Sequence, residues 1–369
     1  MATLNLALAH EYFSVHGGAE RVVSTFHREW PQAPVYTFFH DRTAYGPLEG
    51  WDVRTSFLQG FPLGGGLHRL LLPLYPRAAA GLRVARGTEL LLTSTSAFIK
   101  CLTVPDETVH VAYCHSPTRY LWDASDEYLR DEVPAPLQGA VRSLLTGLRE
   151  ADLRGAARVD RWIANSAVVR DRIKRYYGRD SEIINPPVDV DSFAAERERG
   201  DFWLALPSRL VAYKRVDVAI QAFNEVGLRL IVVGDGRERA ALEAIARDNV
   251  TFAGRVDDAT VRQLLGSARG LIFPAEDDFG IVCVEALASG IPVVALGRGG
   301  ATEIVRDGVD GALVVESDAH AFAEAVRQVE RRGVDREALR RSARRFDVSR
   351  FESRIRTAID RARAEGRAS

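Results

Sequence analysis

Two α/β domains, each wound about a mostly parallel sheet, are what this 369-residue sequence predicts. Three observations carry the prediction. The length exceeds that of a typical single domain and suggests two. Short apolar runs are continuous rather than alternating, as expected of strands buried on both faces. Helical-period segments lie between those runs, which is the pattern of repeated βαβ units.

In the first half the strand runs are "LNLALA" (4–9), "VYTFF" (35–39), "ELLLT" (89–93), "VHVAY" (109–113) and "RWIAN" (161–165). In the second half they are "FWLALP" (202–207), "LRLIVVG" (228–234), "VTFAG" (250–254), "GLIFP" (270–274), "IPVVA" (291–295) and "GALVV" (311–315). Segments such as "VDVAIQAFNEVG" and "DATVRQLLGSA" supply the intervening helices. The division falls at "NPPVDVD" (185–191), where two prolines break any element and Asn185 is held extended by Pro186. The chain then reads as a domain 1–185, a domain 186–346 and a terminal segment 347–369. That last segment opens with a capping box, Ser349 with Glu352, and carries Phe351, Ile355, Ile359 and Ala362 at helical spacing. Its arginines read as a solvated face.

Composition narrows the function classes. Apolar residues make up 46% of the chain and the formal net charge is −1, so bulk charge gives no reason to expect nucleic acid. Cys101, Cys114 and Cys283 are too few and too scattered for a disulfide framework or a thiolate metal site, which fits a reducing cytoplasm. The N-terminus lacks the basic and long apolar regions of a signal peptide, and no run is long enough for a membrane span. Lysine is scarce: Lys100, Lys174 and Lys214 are the three, against an abundance of arginine. A lysine at a motif position therefore carries some weight.

The stretch "PAEDDFGIVCVEALASGIPVV" (274–294) holds the strongest chemistry. A strand ends at Pro274, an acidic loop follows, and a helix runs from about Gly280 to the turn at Gly290. The loop offers a carboxylate (Asp277), the free amides of a helix N-terminus and a second carboxylate (Glu285) one turn in. A nucleotide sugar offers a matching order of sugar hydroxyls, diphosphate and ribose diol, and a carboxylate can accept from both hydroxyls of a diol. "SRLVAYKRVD" (208–217) places Arg209 and Lys214 at another strand's carboxyl end, where cations favour a departing diphosphate. "GDGRER" (234–239) starts like a dinucleotide fingerprint but has Arg239 where the third glycine belongs. Gly234 therefore reads as part of a tight turn near a nucleotide.

In the first half, Gly17 and Gly18 of "HGGAERVV" permit close backbone approach to a ligand. His115 of "YCHSPTRYLWD" stands just past a strand and is suited to hydrogen-bond a sugar hydroxyl. "DVD" (189–191) imitates a metal-binding triplet but sits beside the linker, and no other ligand spacing appears, so no metal is expected. Segment 61–88 mixes leucines with four arginines and no acid. It reads either as a membrane-surface patch or as a helix packed on the first domain with snorkelling arginines.

Taken together, "EDDFGIVCVEALASGIPVVA", "SRLVAYKRVD", "GDG" and "GGAERV" resemble the retaining family-four glycosyltransferases of the GT-B fold, in the family's order and over nearly the whole chain. "YCHSPTRYLWD", "ANSAVVRDRI" and "INPPVD" look closest to the bacterial mannosyltransferase-like branch that acts in O-antigen or exopolysaccharide assembly. The resemblance implies two Rossmann-like domains facing across a cleft. The first would take the acceptor, the second the nucleotide-sugar donor, and the terminal helix would cross back to the first.

It further implies transfer from a nucleoside-diphosphate sugar, GDP-mannose by preference, to a glycan or lipid-linked acceptor, with no cofactor and no metal. Such an enzyme would be cytoplasmic, or peripheral at the inner face of the plasma membrane. His115, Asp277, Arg209 and Lys214 would serve the reacting centre. Gly17, Gly18, Arg209, Lys214, Gly234, Asp277, Phe279, Gly280, Ile281 and Glu285 would hold the donor. The chain departs from the family at two places: the first glutamate of Glu-x7-Glu is Asp277, and Cys101 stands where glycine usually follows "AFxK". The alternatives are a UDP-sugar donor, a non-catalytic nucleotide-sugar-binding protein, and a glycoside hydrolase, whose two acids would not need Arg209 and Lys214.

Overall fold

The apolar runs form two separate parallel sheets in a computed structural model that describes residues 4–61, 71–123, 125–195 and 197–367. The chain divides into two units, residues 1–185 with 351–369, and residues 186–350.

The first unit's sheet contains β1 (Leu6–His10), β2 (Val35–Thr37), β3 (Val53–Thr55), β4 (Leu90–Thr95), β5 (Val109–Cys114), β6 (Arg161–Ala164) and β7 (Ser181–Ile183). Their spatial order is β3-β2-β1-β4-β5-β6-β7, with every pair parallel. Alternate residues of β1 serve opposite faces: Leu6 and Leu8 enter one core, Ala7 and Ala9 the other. That double burial is why the run reads as continuously apolar. β3 and β7 are the strands the sequence does not announce. They are the two edges of the sheet, three residues each and largely unburied, so neither needs an apolar run.

The second unit's sheet contains β8 (Phe202–Arg209), β9 (Arg229–Asp235), β10 (Val250–Gly254), β11 (Leu271–Phe273), β12 (Val293–Leu296) and β13 (Gly311–Val314). Their order is β10-β9-β8-β11-β12-β13, again all parallel. Both orders reverse direction beside the first strand of the unit, which is the doubly wound topology and marks the switch point where such sheets bind ligands. Helices Val216–Val226 and Asp258–Ser267 fall where the sequence places them, and the second is capped by Asp257, which accepts from the Thr260 amide at 2.8 Å.

The terminal helix, Val348–Glu365, buries Phe351, Ile355, Ile359 and Ala362 in the core of the first unit that holds Leu6 and Leu8. Each fully buried Phe or Ile contributes about 1.5–3 kcal/mol. The expected capping box is corrected. The helix starts one residue before Ser349, and the cap is Asp347, whose carboxylate accepts from the Ser349 amide at 2.9 Å. Glu352 instead pairs with Arg28 at 2.5 Å. The arginines form an exposed face, as expected, and some of them make surface ion pairs: Arg356 with Glu29, Arg361 with Glu182 and Arg363 with Glu89.

The acids of "DVD" also have other work. Asp189 caps the turn Val190–Phe193, and Asp191 pairs with Arg344 at 3.1 Å. Within segment 61–88, residues 62–70 lie outside the described residues. The remainder includes the helix Tyr75–Gly81, which buries Tyr75, Ala78 and Ala79 and leaves Arg77 exposed, and Arg83 beyond its end is exposed too. That part fits a helix packed on its own unit. Among the described residues no helix is long and apolar enough to cross a membrane. The three cysteines are buried free thiols.

Candidate functional site

In the second unit the carboxyl ends of β8 and β11 meet at the switch point. β8 slips its register on β9 between Ala205 and Ser208, and Ser208 takes a left-handed φ of 59°. Arg215 does the same at 49°. Two non-glycine residues in this region cost roughly 1–3 kcal/mol each, and together they bracket Arg209 and Lys214. Gly234 (φ 137°) lies opposite the slip, and a Cβ there would sit 2.8 Å from the Ser208 carbonyl oxygen. Gly234 thus has a packing reason that needs no ligand.

Arg209 is exposed, with the Tyr213 hydroxyl 3.4 Å from its guanidinium and no ion pair among the described residues. Lys214 is held differently. Its ammonium donates to Asp277 Oδ2 at 2.5 Å, and the two side chains are only 15% and 19% exposed. The candidate diphosphate cation and the candidate sugar-binding acid are therefore direct partners.

The loop after β11 leads into the helix Ile281–Ala288 through Gly280, whose φ of 86° and ψ of 55° a side chain would strain. Phe279 turns its ring into the core against Phe346, so its backbone alone faces the loop. Glu285, 6% exposed, lies on the second turn of that helix. A second glycine loop supports the first. Gly299 and Gly300 pack against Asp277 and Phe279, where a Cβ on Gly300 would collide with Phe279 backbone atoms, and the Gly300 amide donates to the Asp277 carbonyl at 2.9 Å.

In the first unit His10 ends β1, Ser94 is its register partner on β4, and His115 follows β5. Ser94 Oγ bridges the two imidazoles, 3.0 Å from His10 Nδ1 and 2.8 Å from His115 Nε2. Glu20 Oε1 lies 3.6 Å from His10 Nε2. Gly17 makes room for this carboxylate, since a Cβ there would stand 2.9 Å from Glu20 Oε2. Gly18 has open space around its Cα. Burial, with a smaller push from His10, drives the His115 pKa down to about 3.

The backbone around His115 is fixed from two sides. The Asn165 amide donates to the His115 carbonyl at 2.9 Å. Asp152, fully buried, accepts from Lys100 (2.6 Å), Thr118 (2.9 Å), Trp122 (3.0 Å) and Tyr177 (2.8 Å). Burial opposes the Lys100 charge, but Asp152 outweighs it and raises that pKa well above the ordinary value. A buried pair with its oxygens this well supplied is one of the few arrangements that offset desolvation.

The sequence reading missed several of these parts. Glu11, 4% exposed, receives the Thr95 hydroxyl at 3.0 Å and the amides of Ser96 and Ala97, fixing the loop after β4. Asp152 sits mid-helix with no motif around it. Lys100 had one available signal, its type, in a chain with three lysines. Gly299-Gly300 had another, a glycine pair in the loop that follows β12. Among the described residues no cluster of three or more His, Cys, Asp or Glu is placed to hold a metal ion.

Comparison with known proteins follows this geometry. Residues 189–346 match the sequence family described as Glycosyl transferases group 1, which is nearly all of the second unit. Over 192 residues the chain is 31% identical to D-inositol 3-phosphate glycosyltransferases of Mycobacterium bovis and Mycobacterium tuberculosis, a match covering 45% of this chain and 40% of those proteins. The chain thus spans less than half the length of these curated relatives. Two solved structures share the fold over almost the full length. Anabaena HepE in complex with UDP-glucose has a TM-score of 0.67 at 19% identity, covering 96% of this chain and 99% of its own. Sucrose-phosphate synthase from Thermosynechococcus elongatus has a TM-score of 0.72 at 16% identity, covering 98% and 100%. The fold class is α/β of the GT-B type, with two Rossmann-like units.

Proposed function

We propose that this chain is a retaining glycosyltransferase that moves a hexose from a nucleoside-diphosphate sugar to a hydroxyl of a glycan or lipid-linked acceptor. One observation carries the reading. In the segment that matches the glycosyltransferase group 1 family, Arg209 ends β8, Lys214 pairs with Asp277 in the loop after the neighbouring β11, and Glu285 lies on the helix Ile281–Ala288 that this loop enters, all at a switch point. Cations and helix amides there complement a diphosphate, and the two acids complement hydroxyls at its two ends.

In the reaction the bond from the anomeric carbon to the diphosphate oxygen breaks, and the acceptor oxygen bonds to that carbon on the same face. The acceptor's proton passes to the departing phosphate oxygen. Arg209 and Lys214 stabilise the negative charge that grows on the diphosphate, an interaction stronger in the transition state than before it. Asp277 orients the sugar.

GDP-mannose is the donor the motif resemblance favours. A UDP-hexose is the second reading, favoured by the likeness to HepE, which was solved with UDP-glucose. Cytoplasmic placement, with peripheral membrane contact through 61–88, and a role in cell-surface polysaccharide assembly complete the proposal.

A thermal-shift panel of GDP-, UDP-, ADP- and dTDP-sugars identifies the donor, because a bound donor raises the midpoint by mass action. With that donor, Lys214→Ala and Glu285→Ala should each weaken nucleotide binding by calorimetry, by about 1.5–3 kcal/mol for the lost charge-assisted contact. Unchanged affinity in both variants would overturn the site.

A further inference from the structure

The hydrogen-bond chain in the first unit has a direction. A serine hydroxyl has one proton to donate and lone pairs that accept. Ser94 Oγ touches two imidazole nitrogens, so it can donate to one and must accept from the other. Glu20 decides which. Its carboxylate faces His10 Nε2 at 3.6 Å, in a site where Glu20 is 7% and His10 2% exposed. Such a charge favours the proton on Nε2, leaving His10 Nδ1 as an acceptor. The Ser94 hydroxyl then donates to His10 Nδ1, and its oxygen accepts from His115 Nε2–H. His115 Nδ1 is left with a lone pair and no hydrogen-bond partner among the described residues.

We propose that Glu20, His10 and Ser94 are positioning residues that hold His115 as its Nε2–H tautomer, so that Nδ1 accepts a hydrogen bond from a substrate hydroxyl. The tautomer follows from the geometry of the first unit alone. That the hydroxyl belongs to a sugar rests on the glycosyltransferase reading. Burial keeps the His115 imidazole neutral, which the acceptor role requires. The device gives the site a preference, since an acceptor nitrogen welcomes O–H and rejects a carbonyl or phosphate oxygen. It also gives Gly17 a reason, since the space it leaves is filled by the Glu20 carboxylate.

The test is long-range proton–nitrogen NMR on full-length protein labelled at histidine nitrogens, at pH 8, where an imidazole of ordinary basicity is neutral. His115 should show a protonated, pyrrole-type Nε2 and an unprotonated, pyridine-type Nδ1. A protonated Nδ1 overturns the proposal without need of any variant. Glu20→Gln should move the nitrogens of both His10 and His115 toward tautomer-averaged values. In a Ser94→Ala background, where the link is cut, it should leave His115 unmoved. A His115 spectrum indifferent to Glu20→Gln in the intact chain also overturns it.

Saturation with the donor found in the panel should shift Nδ1 of His115 upfield as it accepts a hydroxyl proton, and an unmoved Nδ1 defeats the ligand half. If no nucleotide sugar binds the wild-type protein, the glycosyltransferase reading fails while the tautomer result stands.

Discussion

Lys214 and Asp277 meet at 2.5 Å with most of both side chains covered, so the contact is worth more than a surface ion pair, which contributes about 0–1 kcal/mol. An aspartate in this place keeps its carboxylate drawn back onto the lysine. A glutamate, one methylene longer, would push the carboxylate forward toward a sugar. Asp277→Glu should therefore retain or raise transfer, and complete inactivation would show that the shorter reach is required. Because the two residues share one contact, their effects on nucleotide affinity should not add. A double-mutant cycle of Lys214→Ala and Asp277→Asn, read by calorimetry, should give a coupling of about 0.5–3 kcal/mol, and strict additivity would show that the pair does not bear on binding. The sequence offered these residues as candidates because each stands at a strand's carboxyl end. That they face one another was not legible, since it depends on β8 and β11 being neighbours. Glu20, His10 and Ser94 were hidden for the same reason: their contact joins β1, β4 and a helix across 84 residues of chain between His10 and Ser94.

Among the elements, the helix Gln138–Ala157 packs on the turn Ile99–Cys101 through a glycine. A Cβ on Gly155 would stand 3.2 Å from Cys101 Cβ and collide with its sulfur. The cysteine that departs from the "AFxKG" pattern thus fills the space that Gly155 leaves, and burial pushes its thiol pKa up to about 11, marking it as inert packing. Helix propensity alone favours alanine over glycine by roughly 0.5–1 kcal/mol. Overpacking costs about 1–3 kcal/mol and should win. Gly155→Ala should lower the unfolding temperature in calorimetric scans, and adding Cys101→Gly should recover most of the loss. A Gly155→Ala variant as stable as the parent would refute the close packing. Elements announced themselves in the sequence in proportion to burial. Most strands were readable within a few residues at their ends, whereas β3 and β7 carry no apolar run because each is three residues long and has no buried position. The cap of the terminal helix was misplaced by two residues because both Asp347 and Ser349 suit an N-cap and only the backbone path chooses between them.

Across the whole molecule, titration separates the two units. Seven of the eight histidines lie in residues 1–185, the exception being His320. Burial drives His110 and His115 down to about 3 and lowers His27 as well. Between about pH 3 and 6.5 the unfolded first unit binds protons that its folded form refuses, so its stability is full above pH 6.5 and declines as pH falls. His110 and His115 each contribute a slope of about 1.4 kcal/mol per pH unit within that window. The second unit has no comparable histidine. At Asp310 burial works against the charge, but Arg306 and Ser342 outweigh it and lower the pKa. Its contribution is present above the ordinary carboxylate range and is lost only as pH falls below it. Hydrogen-exchange protection, corrected for intrinsic rates, should therefore fall in residues 4–185 between pH 7 and pH 5. In residues 186–350 it should hold until the pH drops under about 3.9, the ordinary aspartate value. Protection lost in step across both units, or first in the second, would show that the buried histidines do not govern acid stability.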